Sequence, residues 1–197
     1  MYVLLGASLL AVAVIIERFT FFRKIDVKQT AFLNQFYDLL KGYQIKAAEE
    51  LCAEKPGPLA NMSLAALSAA DRPRDEIREI LEDAGSKEIP VLEANLGVLA
   101  TISYISPLLG LLGTVLGLIK AFQDFEKAGM GGALPGAGLF AAGIWEAMLT
   151  TAAGLTLGIV TYIISHYFHI KKEKLIIDLE SSGHELVEII TENQGPR

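Results

Sequence analysis

Cysteine, charge and catalytic motifs are all scarce in this sequence. Only one of its 197 residues is a cysteine, Cys52, and only 20% are charged. A lone cysteine excludes an internal disulfide and suggests no cysteine-based metal site. The net charge of −6 leaves no basic surface to neutralise phosphates, which argues against a nucleic-acid partner. No nucleophile elbow, phosphate-binding loop, zinc-protease motif or dinucleotide fingerprint occurs, so we expect neither an enzyme nor a bound cofactor.

Apolar residues, in contrast, make up 52% of the chain. They are concentrated in three blocks, residues 1–22, 96–122 and 139–168. Each block has the roughly 20 residues needed to cross about 30 Å of hydrocarbon. The first block lacks the basic start and the cleavage site of a signal peptide, so we expect a retained anchor. Because lipid admits only helices or closed barrels, the predicted fold class is an all-α integral membrane protein with three transmembrane helices.

The positions of the cations predict how the chain crosses the membrane. The segment between the second and third blocks is rich in glycine and alanine. Basic residues, in contrast, lie at or just after the ends of the first and third blocks: Arg18, Arg23, Lys24, Lys28, Lys171, Lys172 and Lys174. Cytoplasmic segments carry an excess of Lys and Arg. We therefore predict a periplasmic N-terminus, a cytoplasmic helical segment at residues 23–95, a periplasmic loop at 123–138 and a cytoplasmic C-terminal helix at 169–197.

Apolar stripes at helical spacing indicate several helices in the cytoplasmic parts. Three short helices are predicted before Asp71, the third carrying Leu64, Leu67 and Ala70. Asp71 is the expected N-cap of a fourth helix, which we expect to run nearly straight into the second span. The tail is predicted to form an amphipathic helix with Leu175, Leu179, Leu186 and Ile190 on its apolar face.

The second span places small and mildly polar residues on one face, at spacings of three and four: Ser103, Pro107, Gly110, Thr114, Gly117 and Ala121. Such a face lets helices approach closely, and Gly113-x-x-x-Gly117 is a packing motif of the same kind. We interpret Pro107 and these glycines as helix-packing residues, together with Gly154 and Gly158 of the third span. Thr114 has two readings, since a membrane threonine often only bonds to a carbonyl of its own helix.

Glu146 is the most informative residue, because it lies about two turns inside the third block, which is otherwise uncharged. An ionisable group within a span usually faces a bundle interior or water. The alternative is that it sits near the membrane surface, favoured by the dipole of its own helix. At 100° per residue, Glu146 shares a face with Thr150 but lies about 140° from Thr151. If protons cross, a second titratable group must come from another chain.

His166 and His169 are three residues apart on one predicted helix. No carboxylate or cysteine accompanies them, so we interpret them as aromatic residues of the membrane surface rather than metal ligands. No metal site is predicted.

The three spans together resemble the MotA/TolQ/ExbB proton channel family, and within it the ExbB/TolQ branch. The similar stretches are Ile15-Ile16-Glu17-Arg18, residues 99–115 with Pro107-Leu108-Leu109-Gly110-Leu111-Leu112-Gly113-Thr114-Val115, and residues 143–155 around Trp145-Glu146. The usual form of the last motif has alanine before the glutamate, so Trp145 is a departure whose role the sequence leaves open.

The resemblance implies a pentamer of this chain in the bacterial inner membrane, enclosing a dimer of a single-span partner resembling ExbD or TolR. That partner would bring the titratable aspartate that is missing here. Thr114 and Thr151 would line the pore, with Glu146 nearby. The motor would use the proton-motive force to drive a TonB-like protein in outer-membrane import. The alternatives are a TolQ-like subunit acting on a TolA-like protein, and a scaffold that conducts nothing.

Overall fold

The computed structural model describes residues 2–42, 44–130 and 137–193, and within these ranges it contains helices and no strand. Six helices follow one another: α1 (Tyr2–Lys41), α2 (Ile45–Glu54), α3 (Pro58–Ser68), α4 (Arg74–Glu93), α5 (Leu96–Met130) and α6 (Ala137–Asn193). Side chains are described for these helices except at residues 26–31, 128–130, 137, 139 and 193.

Three stretches of the described chain contain a window long and apolar enough to cross a membrane: Tyr2–Ile25, Arg74–Lys127 and Phe140–Glu192. Large apolar side chains on these stretches are exposed, among them Leu9, Leu111 and Ile159. Contiguous apolar exposure of this kind requires a covering of lipid or protein. The predicted all-α fold with three transmembrane helices is therefore confirmed. Of the predicted loop at 123–138, residues 123–130 are helical and 131–136 lie outside the described residues.

The chain divides into two compact units, the first formed by Met1–Arg18 and Asn95–Phe168. In this membrane unit α5 and the first part of α6 run antiparallel, in contact through small residues. The part of α1 that belongs to this unit ends at Arg18. The Arg18 side chain is buried, and its guanidinium donates to the Glu17 carboxylate at 2.6 and 2.8 Å. The Asn95 side chain donates to the same Glu17 carboxylate at 3.1 Å, so the start of α5 is held beside the end of this segment.

The second unit comprises Phe19–Ala94 and His169–Arg197. Its core is apolar and comes from all its helices, with fully buried side chains at Phe36, Cys52, Ala66, Ile77 and Leu186. The tail of α6 buries the four residues predicted for its apolar face, Leu175, Leu179, Leu186 and Ile190. Polar contacts add to this core: Tyr37 donates to Glu185 at 3.0 Å, and Lys172 donates to Glu93 at 2.9 Å.

Three local predictions were wrong. Pro73, not Asp71, is the N-cap residue of α4, because the residue before a proline is disfavoured in helical conformation. α4 is not continuous with the helix of the second span, since α4 ends at Glu93 and Asn95 takes a positive φ of 59°. Of the stripe predicted for the third helix, Leu67 is buried, but Leu64 is 37% exposed and Ala70 lies beyond the end of α3, which also buries Leu59 and Met62.

Candidate ion pathway

Glycines bring α5 and α6 into backbone contact. A Cβ atom placed on Gly154 would lie 2.6 Å from the Ser106 carbonyl oxygen and 2.8 Å from the Gly110 Cα. Real Cβ atoms do not approach other atoms so closely, so only glycine fits at this position without movement of the backbone. The interaction between the helices is therefore one of packed backbones, of the kind that small residues permit in membranes.

The same contact recurs along both helices and defines their register. Further Cβ atoms built on glycines would meet the facing helix at distances of 2.6–2.7 Å: Gly113 with Thr150, Gly117 with Ala147, Gly143 with Ala121, and Gly158 with Pro107. Each step toward the end of α5 is a step toward the start of α6, as antiparallel packing requires. Gly143 was missed in the sequence reading, although it extends the small-residue spacing of Ala147, Thr150 and Gly154 by one more turn.

Two threonines face each other across this interface. The Thr114 hydroxyl contacts the Thr151 hydroxyl, and Thr151 donates to the Gly110 carbonyl at 3.0 Å. The Thr114 oxygen also lies 3.3 Å from the Gly110 carbonyl oxygen and 3.4 Å from that of Ala147. Because each hydroxyl has one proton, the arrangement is satisfied when Thr114 donates to Thr151 and Thr151 donates to Gly110.

Other hydroxyls of these helices behave differently. Ser106, Thr150 and Thr161 are buried and bond to carbonyls of their own helix, at 2.6, 2.7 and 2.7 Å. Thr114 and Thr151 are only half-buried. In the bonding scheme above, the Thr114 oxygen keeps its acceptor positions, so the pair can accept a hydrogen bond from a proton-carrying group that approaches from outside the chain.

Glu146 lies on the other side of the interface. Ala147 and Gly154 face α5, and about 140° of rotation separates Glu146 from Thr151. The carboxylate is exposed, and so is the Trp145 side chain beside it. Lys120 of α5 is exposed too, and the contacts of Gly117 with Ala147 and of Gly143 with Ala121 place it at the same level. The structure thus brings Thr114 and Thr151 together and keeps Glu146 apart from them.

These features define an α-helical membrane protein that crosses the bilayer several times and carries a hydroxyl pair in a glycine-packed helix interface. Residues 54–181 match the MotA/TolQ/ExbB proton channel family. The chain belongs to this family, whose members are membrane channels, and the predicted ExbB/TolQ branch is confirmed.

Individual relatives agree with this assignment. The chain is 37% identical to the ExbB-like 3 biopolymer transport protein of Synechocystis, over 84% of this chain and 78% of that protein. It is 31% identical to the ExbB-like 1 protein of the same organism, over 83% of this chain and 64% of that protein. It is also 33% identical to the Tol-Pal system protein TolQ of Pseudomonas aeruginosa, over 54% of this chain and 44% of that protein.

Proposed function

We propose that this protein is the ring-forming subunit of a proton-driven motor in the bacterial inner membrane, of the ExbB type. Copies of the chain, five by analogy with the family, surround the single membrane helices of a dimeric ExbD-like partner. The observation that carries the proposal is the Thr114–Thr151 pair, two half-buried hydroxyls that are hydrogen-bonded to each other across the α5–α6 interface.

The chemistry of the pair suits a carboxyl group that gains and loses a proton. A protonated carboxyl donates a hydrogen bond, whereas an ionised carboxylate only accepts. The Thr114 oxygen is available to accept from the protonated form. The two states of the partner's carboxyl therefore interact with the ring differently, and proton entry from the periplasm and release to the cytoplasm would move the partner relative to the ring.

Glu146 has a separate part in this proposal. A carboxylate that faces hydrocarbon is unfavourable by about 2.5–3.5 kcal/mol at a helix centre. We therefore propose that the side bearing Glu146 and Lys120 is covered by protein in the assembly, and that Glu146 supports the pathway from its border rather than beside the hydroxyls. The proposed orientation has the N-terminus in the periplasm and the C-terminus in the cytoplasm.

The proposed work of the motor is to drive a TonB-like protein for outer-membrane import. The TolQ relative keeps a second role open, in which the partners resemble TolR and TolA. The neighbouring gene distinguishes the two: an ExbD-like single-span protein beside a TonB-like one supports import, and a TolR-like protein beside a TolA-like one supports the envelope role.

The test is proton flux into vesicles containing the chain and its single-span partner. Replacing Thr114 and Thr151 by valine keeps their shape and removes both hydroxyls, so we expect flux to collapse while the oligomer survives in native mass spectrometry. Thr101→Val and Thr156→Val are matched controls, because these exposed threonines bond to their own helices at 2.8 Å. Unchanged flux in the Thr114/Thr151 variant would contradict a pathway through these hydroxyls, and absence of flux in the unsubstituted complex would favour a scaffold that conducts nothing.

A further inference from the structure

The threonine side of the α5–α6 interface also carries titratable aromatic residues toward the end of the third span. Tyr162 follows Thr151 by eleven residues, which places it about 20° from Thr151 around the axis of α6. His166 comes one turn later, about 60° from Thr151. On α5, Tyr104 lies on the same side of Gly110 as Thr114, at about 80° from Thr114. All three side chains are exposed.

Tyr162 and His166 are in contact with each other. Their rings are parallel within 3°, with centroids 6.2 Å apart. This offset stack favours an imidazole parallel to the tyrosine ring, on the side of α6 that also bears Thr151. The remaining exposed positions on this edge between Thr151 and Tyr162 are apolar, Leu155 and Ile159.

His166 stands where a proton would leave the membrane. At 1.5 Å per residue it lies about 22 Å along α6 from Thr151, beyond the half-thickness of about 15 Å of a hydrocarbon core centred near the threonines. Tyr162, Tyr167 and His169 are its titratable neighbours on α6. The contact of Gly158 with Pro107 places Tyr104 of α5 nearer the level of Tyr162 than that of His166. From α1, the bonded Glu17–Arg18 pair lies beside Asn95 at the same end of the unit.

We propose that His166, oriented by Tyr162, is the proton-accepting group at the cytoplasmic end of the pathway that begins at Thr114 and Thr151. The imidazole accepts a proton delivered along this side, either by water or by the partner's carboxyl group, and then releases it to cytoplasmic water. Imidazole suits this step because it exchanges protons within about pH 5–8. This proposal rests on the proposed function and adds a group of this chain to the pathway.

The experiment measures proton flux in vesicles that contain the full chain with its single-span partner. His166→Phe keeps a planar ring to stack on Tyr162 and cannot carry a proton, so we expect flux to fall at least about tenfold. His184→Phe is the matched control, since that exposed histidine lies in the second unit and bonds to the Glu180 carbonyl at 2.8 Å.

Chemical rescue separates a proton carrier from a packing residue. His166→Ala should regain flux when imidazole is added, whereas His184→Ala should not respond. If His166→Phe disrupts the oligomer, His166→Gln with imidazole rescue of the alanine variant decides the question. Full flux in His166→Phe, together with lost flux in the Thr114/Thr151 valine variant, would show that His166 is only an aromatic residue of the membrane surface. Full flux in both would overturn the Thr114–Thr151 pathway on which the proposed function rests.

Discussion

Gly110 and Gly154 lie against each other across the α5–α6 interface, so a side chain at either position would require backbone of the facing helix to shift. A Cβ on Gly110 would lie 3.2 Å from the Gly154 Cα, and one on Gly154 would lie 3.0 Å from the Gly110 nitrogen. The Gly110 carbonyl is also the acceptor for Thr151. The approach of the two glycines therefore sets the distance across which the threonines bond.

Gly154→Ala is expected to destabilise the membrane unit. Its new methyl group would meet backbone atoms of Ser106 and Gly110, which cannot move without separating α5 from α6. Overpacking of this kind costs about 1–3 kcal/mol. Thermal unfolding in detergent, followed by circular dichroism, measures the loss.

Gly97→Ala is the control, because a Cβ on Gly97 has no neighbour within 4 Å. Alanine is favoured over glycine in a helix by up to about 1 kcal/mol, so this variant should be neutral or slightly more stable. Equal melting temperatures for the two variants would contradict the backbone contact.

The antiparallel register predicts a specific cross-link. In a Cys52→Ala background, cysteines at positions 114 and 151 replace two hydroxyls in direct contact, so mild oxidation should join them within one chain. Cysteines at 114 and 156 should stay reduced, since position 156 is about 140° further around α6. Loss of thiol labelling, measured by mass spectrometry, reports the bond. Efficient joining of the 114–156 pair would show that the register is wrong.

The spans and the packing face could be predicted from sequence because both follow from local composition. Three apolar blocks specify three helices, and the spacing of small residues in the second block specifies which side of it can approach another helix. The tail of α6 was equally readable, since Leu175 and Leu179 repeat at the helical period and are buried. In each case the signal lies within a few turns of one helix.

The features that were missed depend on residues far apart in the chain. The break before α5 is centred on Asn95, whose positive φ an asparagine tolerates better than most residues. Its side chain bonds to Glu17, which is 78 positions away. The register that pairs Thr114 with Thr151, and puts Glu146 on the other side, likewise requires knowing which residues of α5 and α6 meet.

The lone cysteine is expected to be unreactive in the folded protein. Burial, together with the nearby Glu49 carboxylate, raises the pKa of Cys52 to about 11. At pH 8 the folded thiol is thus almost wholly protonated, and alkylation by iodoacetamide should be at least about a hundredfold slower than in denaturant.

The same shift has a consequence for stability. The folded pKa of Cys52 is higher than the pKa of an unfolded cysteine, which is about 8.5. The protonated thiol therefore makes its full contribution to the free energy of unfolding below about pH 8.5, and this contribution is lost as the pH rises toward about 11. Cys52→Ala should lack this part of the alkaline loss. Equal labelling rates in native and denatured protein would contradict the burial of the thiol.

Lys172 and Glu93 are expected to respond unequally to substitution. The Lys172 side chain is 9% exposed, whereas the Glu93 side chain is 53% exposed. Glu93→Ala leaves a buried ammonium with Glu173, at 3.1 Å, as its remaining acidic partner among the described ion pairs, and should cost about 1–3 kcal/mol. Lys172→Met removes the buried charge, keeps an apolar chain of similar length and leaves Glu93 to water, so it should be nearly neutral.

Unfolding in detergent compares the two, with Lys174→Met, at an exposed position, as the control. A larger loss for Lys172→Met than for Glu93→Ala would mean that the ion pair itself, rather than the burial of the lysine, dominates the energetics at this position.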